Sequence, residues 1–281
     1  MKAIHTLRAR RPQAEFSLDD FELFTMLLSA LEWRKHNGSI QLLTDAVGAA
    51  YLRAHGLSDA WDAIAVILDD MDAMDIDEAV FWAGAKLFSL SRQTAPCVTL
   101  DLDFILWQPV DFSRYGNDLA VIHREDISPS VYPSQAFFQF QDGWQLPDWL
   151  DWSLRPCNGA LVYFGSQDFL HSYTSFALDF MQKAAAGTDR LCYMVFVEQR
   201  WMAMCAAHRS VPIHALSSLA GLFDGRQKSF THVWGSKQQM RDHPQEAAAF
   251  CRACARRLKR DFPDFAEKLE KEGWASHYFN R

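Results

Sequence analysis

The sequence predicts an α/β protein built on a mostly parallel central sheet covered by helices on both faces, with a helical C-terminal tail. Three observations predict it. Short apolar runs alternate with segments of helical spacing, and such alternation implies right-handed crossovers between parallel strands. Two carboxylates, Asp101 and Asp103, stand at the end of the apolar run that begins at Pro96, and open α/β sheets collect ligands at the carboxyl ends of strands. The segment from Pro244 to Glu272 is charged at helical spacing, as expected of a helix packed outside a sheet.

Each element follows in order. Lys2 to Leu7 reads as a first strand. Ser17-Leu18-Asp19-Asp20 has a capping-box pattern and opens a helix through Phe21, Phe24, Leu27, Leu28 and Leu31, which Asn37-Gly38 ends. Ser39 to Leu43 is a second strand. Thr44-Asp45 then leads into a helix to about His55, with Gly56 as its terminator. A short apolar run (Ala63 to Leu68) and an acidic loop (Asp69 to Asp77) precede a helix from about Glu78 to Leu90. Next is the strand carrying Asp101 and Asp103. Leu119 to His123 is a strand, and Arg124 to Asp151 is aperiodic, a length of loop often associated with function. Ala160 to Phe164, Leu191 to Val195 and Val211 to His214 read as strands, with helices at Gln167 to Ala186 and Val197 to Ala207. Phe230 to Lys237 reads as a loop. No linker divides the chain, so residues 1–281 are expected to form one domain, with a core of about 1–240 and a helical extension of about 241–281.

Composition excludes several classes of function. The 281 residues carry a net charge of −7, which offers no basic footprint for nucleic acid or an anionic membrane. With 22% charged and 49% hydrophobic residues the chain has a globular composition. The N-terminus has only a short apolar patch before Arg8, Arg10, Arg11 and Pro12, and no later stretch is long enough to span a bilayer; a cytoplasmic location is expected. The six cysteines lack scaffold-like spacing and are expected to be reduced, Cys251 and Cys254 serving helix packing. Oligomeric state is not legible.

The pair Asp101 and Asp103 points to a hard cation. On a strand, side chains at i and i+2 share a face, which lets both carboxylates converge while Leu100 and Leu102 face the sheet. Ionised carboxylates in so apolar a setting need a compensating charge.

Further motifs extend this. Phe81-Trp82-Ala83-Gly84-Ala85-Lys86-Leu87 precedes the aspartates; Asn158-Gly159-Ala160-Leu161-Val162 and Glu198-Gln199 follow, and then His232-Val233-Trp234-Gly235-Ser236-Lys237. Together with Asp101-Leu102-Asp103 these resemble GT-A nucleotide-sugar glycosyltransferases, especially the glycogenin-like and lipopolysaccharide galactosyltransferase-like branch. The resemblance spans roughly residues 1 to 240. It departs from the family pattern where Asn158 and Gly159 are adjacent and where the Gly235 to Lys237 spacing is one residue short. The chain is also similar to bacterial proteins of this length with the same Trp-Arg-Lys start, here Trp33-Arg34-Lys35.

The resemblance implies a Rossmann-like GT-A fold and a D-x-D in which Asp101 and Asp103, with His232, bind Mn²⁺ or Mg²⁺. It implies that Lys86 and Lys237 contact the donor diphosphate, that Asp101 also reaches the ribose, and that Glu198 or Gln199 lies beside the transferred sugar. Thr44 and Asp45 would lie near the nucleoside in this topology. A UDP-sugar donor is favoured, the acceptor being a glycan, lipid or protein, and the branch leans towards retention of the anomeric configuration. Trp107, Trp144, Trp149 and Trp152 flank the expected acceptor cleft, since an aromatic face suits the apolar side of a sugar ring.

Two other readings compete. A haloacid-dehalogenase-like phosphatase also opens its site with D-x-D, but Ile105 stands where that family has Thr. A non-catalytic nucleotide- or sugar-binding protein of the same fold is the other.

Overall fold

The computed structural model describes residues 1–9, 15–223 and 227–279. Arg10, Arg11 and Pro12 and the side chain of Trp234 lie outside the described residues. In chain order the elements are β1 (Ala3–Leu7), α1 (Asp20–His36), β2 (Ile40–Thr44), α2 (Ala46–Ala54), β3 (Ala63–Val66), α3 (Gly84–Ser91), β4 (Cys97–Leu100), β5 (Phe104–Leu106), β6 (Leu119–Val121), β7 (Leu161–Phe164) and α4 (Gln167–Lys183). There follow α5 (Cys192–Val195), a π-helical turn (Phe196–Arg200), α6 (Trp201–His208), β8 (Ile213–Ala215), α7 (Leu219–Phe223), β9 (Phe230–His232), α8 (Lys237–Asp242), α9 (Pro244–Asp261), α10 (Pro263–Leu269) and α11 (Ser276–Phe279). The protein is mixed α/β with a mostly parallel sheet and helices, as the sequence predicts.

Two compact units are present. One comprises Lys2–Val66, Asp101–Val110 and Lys228–Arg281. Within it β1 pairs in parallel with β2 (Ala3↔Ile40) and β2 with β3 (Gln41↔Ala63), while β5 and β9 form a separate antiparallel ribbon. β1 and β2 are almost entirely buried, as strands covered on both faces must be. Helix α1 starts at N-cap Asp19, whose N–H donates to Glu22 Oε2 at 3.1 Å, so the box falls two residues beyond Ser17. It is buried nearly all round, including Phe24, Leu27, Leu28 and Trp33, and packs on β5 and α9. The tail breaks at Phe262-Pro263 into α9 and α10, because proline cannot donate to a continuing helix. Cys251 and Cys254 are free and buried on α9, and burial pushes the Cys251 thiol up to about 12, which keeps it protonated and inert.

The other unit comprises Met1, Ile67–Leu100 and Asp111–Gln227. Here β7 runs antiparallel to both β4 and β6, and β6 pairs in parallel with β8. Every residue of β4, β6 and β7 is buried. Two expectations are corrected. Leu191 to Val195 is not a strand: Cys192–Val195 is helical and continues through the π turn into α6, buried on all sides. A short, wholly apolar run has no periodicity to separate strand from buried helix, and the length of the continuous helical run decides it. The helix expected from Glu78 begins at Gly84, the acidic stretch before it forming 3₁₀ turns at Leu68–Ala73. Among the described residues no helix is long and apolar enough to cross a membrane.

His5 on β1 is fully buried, and burial lowers its imidazole to about 3, the Asp103 carboxylate opposing this only in part. The native state therefore holds His5 neutral while the unfolded chain protonates near 6.5. The unfolded state binds more protons below that value, so stability falls as pH drops from about 6.5 towards 3. Denaturant titrations at pH 7 and 4.5 are expected to differ by about 2–3 kcal/mol from this group, and by less in His5→Gln.

Candidate functional site

The strand expected to carry both aspartates is interrupted at them. β4 ends at Leu100, Asp101-Leu102-Asp103 forms a turn closed by Phe104 N–H to Asp101 O at 3.0 Å, and β5 begins at Phe104. The carboxylates thus converge through a turn rather than through the alternation of a strand, and Leu102 is half-buried rather than packed into the sheet. Phe230 to His232, expected as loop, is β9, which lies in register with β5: Phe104 opposes His232 and Leu106 opposes Phe230. Val233 N–H donates to Asp103 O at 3.0 Å and Trp107 N–H to Ser229 O at 2.8 Å, closing the ribbon at both ends. This ladder brings His232 to the aspartates.

The result is a three-donor cluster. One ligand atom each from Asp101, Asp103 and His232 lies within 4.8 Å of the others. Ligands on opposite sides of one divalent ion stand about 4–5 Å apart, and two carboxylates with an imidazole suit a hard to borderline cation, so the residues fit the implied metal. His232 Nε2 lies 3.6 Å from Asp103 Oδ1, and Lys237 Nζ 2.8 Å from Oδ2. Asp103 is buried, which by itself raises its carboxyl, but the neighbouring His232 imidazole and Lys237 ammonium outweigh burial and hold it well below the usual carboxylate range. It is an anion at any physiological pH.

Thr44 and Asp45, at the end of β2, are buried in the same unit. Asp45 is the N-cap of α2: Oδ1 accepts from Gly48 N at 2.7 Å and Oδ2 from Ala9 N at 2.8 Å, with Arg8 Nη1 at 3.5 Å. Gly48 is required there, because a Cβ would stand 2.2 Å from Thr44 Oγ1.

Lys86, Glu198 and Gln199 lie in the other unit and form a second cluster. Lys86 in the first turn of α3 ion-pairs with Glu198 on the π turn and donates to Gly159 O at 3.2 Å. Both members of the pair are buried. Helical π turns recur at functional sites because the extra residue re-aims side chains. Tyr132 Oη donates to Gln199 Oε1 at 2.6 Å, which fixes the orientation of the amide and leaves its nitrogen as the donor end. Arg200 fastens the aperiodic loop to this turn through Tyr132 O and Pro133 O, each 2.9 Å away. Asn158 Nδ2 donates to Glu125 Oε1 at 2.8 Å, which also faces His123 Nε2 at 2.9 Å. Gly159 lies against Glu198: an added Cβ would meet Oε1 at 2.9 Å and Cδ at 3.0 Å. Gly159→Ala is therefore expected to displace the Glu198 carboxylate and loosen its pair with Lys86, read as a lower midpoint in denaturant unfolding with the fold retained by circular dichroism.

Tyr132, Arg200 and Glu125 were not legible from sequence, since they sit in or close on a loop without period. The tryptophans expected to flank an acceptor pack on the protein's own groups. Trp107 lies beneath Arg257, Trp144 donates to Asp179, Trp149 stacks on His208, and Trp152 stacks on Phe196; Trp149 keeps an exposed face.

The family that matches residues 1–272 is described as a family of unknown function, DUF6734. No curated protein sequence matches the chain. Among solved structures, galactosyltransferase LgtC with donor and acceptor sugar analogs is similar at 11% identity and a TM-score of 0.39, over 71% of this chain and 71% of that one. Mouse xyloside xylosyltransferase 1 in its apo form gives 11% and 0.40 over 77% and 85%, and the glycosyltransferase GlyE of Streptococcus pneumoniae 12% and 0.38 over 76% and 44%. The chain spans 59% of an active-site mutant of LgtC, at 13% identity and a TM-score of 0.33 over 62% of its own length. Similarity at this level says nothing of function, which is read from the residues themselves.

Proposed function

The chain belongs to the DUF6734 family, and from the geometry of its own residues we propose that it is a metal-dependent glycosyltransferase, moving a sugar from a nucleoside-diphosphate donor to a glycan, lipid or protein acceptor. The observation that carries this reading is the convergence of Asp101, Asp103 and His232 within 4.8 Å, with the Lys237 ammonium on Asp103. A nucleoside diphosphate leaves only when its growing negative charge is neutralised, and a divalent cation, Mn²⁺ or Mg²⁺ by the donor set, supplies that neutralisation when bound.

The protein's own groups divide the remaining work. Asp103 and His232 would hold the ion, and Asp101 would hold it and the ribose together. Lys237, exposed enough to swing, would move from Asp103 Oδ2 to a diphosphate oxygen. Thr44 and Asp45 would serve the nucleoside, and in the other unit the ion pair of Lys86 would keep the Glu198 carboxylate in place. Glu198 and Gln199, in the same unit as Lys86, are read as a sugar-binding pair, the carboxylate offsetting positive charge and the amide nitrogen donating to a hydroxyl. A uridine nucleotide and retention of configuration complete the proposal.

The test is release of nucleoside diphosphate from a panel of nucleotide sugars with Mn²⁺, with and without chelator. Release from one donor, abolished by chelation, is expected. Release of phosphate from a phosphomonoester, with every nucleotide sugar left intact, would favour the phosphatase reading instead.

A further inference from the structure

His5, Ser29 and Trp61 form a buried chain of hydrogen bonds that ends one residue from Asp103. Trp61 Nε1 stands 3.0 Å from His5 Nδ1, His5 Nε2 stands 3.0 Å from Ser29 Oγ, and Ser29 Oγ stands 2.5 Å from Phe104 O. All three residues are buried in the unit that carries the three-donor cluster. The direction of the chain follows from what each group can do. An indole nitrogen only donates, so Nδ1 of His5 is the acceptor and its proton is on Nε2. That proton goes to Ser29 Oγ, and the hydroxyl proton of Ser29 has the Phe104 carbonyl as its acceptor. No member can turn without orphaning another.

The end of the chain matters because of the ribbon's alternation. Val233 N–H bonds Asp103 O and Trp107 N–H bonds Ser229 O, so hydrogen-bonded pairs fall at 103 and 107 and, by the period of two, at 105. Phe104 and His232 are then a non-hydrogen-bonded pair: their side chains are close, ring centroids 5.7 Å apart, and the Phe104 carbonyl points away from β9. Buried and turned from the ladder, it needs another donor, and Ser29 on α1 supplies one. Fixing this carbonyl fixes the Phe104–Ile105 peptide plane, one peptide beyond Asp103, and with it the strand position opposite His232.

We propose that His5 and Ser29 are positioning residues for the metal site, pinning the start of β5 so that Asp103 and His232 meet at ligand distance. The proposal rests on the metal reading given above. Groups behind metal ligands set ligand orientation, and their loss weakens metal affinity by about 10- to 100-fold.

The test is Mn²⁺ titration, followed by electron paramagnetic resonance, of the wild-type protein, Ser29→Ala, His5→Phe and His5→Gln, with hydrogen exchange of the segments 101–106 and 230–233. Ser29→Ala and His5→Phe are expected to bind Mn²⁺ about 10-fold more weakly and to exchange faster in both segments. His5→Gln, whose amide can accept from Trp61 and donate to Ser29, is expected to recover most of the affinity. Wild-type affinity in a folded Ser29→Ala protein overturns the proposal, as does a Gln variant no better than Phe. Ser29→Ala removes a single oxygen and decides the matter even if His5→Phe does not fold. A wild-type protein that binds no Mn²⁺ overturns the metal reading itself, an outcome distinct from normal binding in the variants.

Discussion

Asp103→Ala is expected to lower the proposed metal-dependent sugar transfer by about 1,000-fold while leaving the fold intact. The substitution removes one donor of the three-residue cluster and the anchor that His232 and Lys237 share. Loss of charge stabilisation on a departing diphosphate is worth about 4 kcal/mol, and each 1.36 kcal/mol is a factor of ten in rate. The effect on stability is smaller, because Lys237 is partly exposed and can return to water. Turnover measured beside a thermal melt separates the two. Asp103→Asn should lose activity to a similar degree, since the amide keeps the shape without the charge.

Lys86→Met is expected to cost stability as well as activity. It would leave the Glu198 carboxylate buried beside Gly159 without its cation, and breaking a buried pair from one side costs about 3–5 kcal/mol. Denaturant unfolding of Lys86→Met, Glu198→Gln and the double variant forms a cycle. Lys86→Met is expected to be the least stable, and the double variant to recover part of the loss, because it removes the buried charge together with its partner. Equal stability of Lys86→Met and wild type would mean that the pair contributes nothing to the fold.

Local signals made much of the fold legible. Alternating apolar runs gave β1 and β2, Asp45 and Gly56 bracketed α2, and helical spacing from Gln167 gave α4, which ends at Lys183 rather than at Ala186. Sequence failed where local pattern is silent. The Leu191 to Val195 run is apolar throughout, so only its continuation through the π turn into α6 reveals a helix. The convergence of Asp101 and Asp103 was legible, but the alternation invoked for it was not the cause: a turn brings them together. The convergence of His232 on them comes from the β5–β9 ladder, whose three-residue strands are too short to read. The ion pair of Lys86 with Glu198 has no signature in sequence, because it joins the start of α3 to the π turn across the tertiary fold. His5 looked like an ordinary strand residue, and only its partners Trp61 and Ser29 give it a role.

The most direct measurement is the thermal stability of the purified protein with each nucleoside diphosphate, with and without Mn²⁺, for wild type and Asp103→Ala. A ligand bound only by the native state raises stability by mass action. The account predicts a shift with one nucleotide that requires Mn²⁺ and vanishes in Asp103→Ala. The same shift in Asp103→Ala, or none with any nucleotide and Mn²⁺, would contradict it.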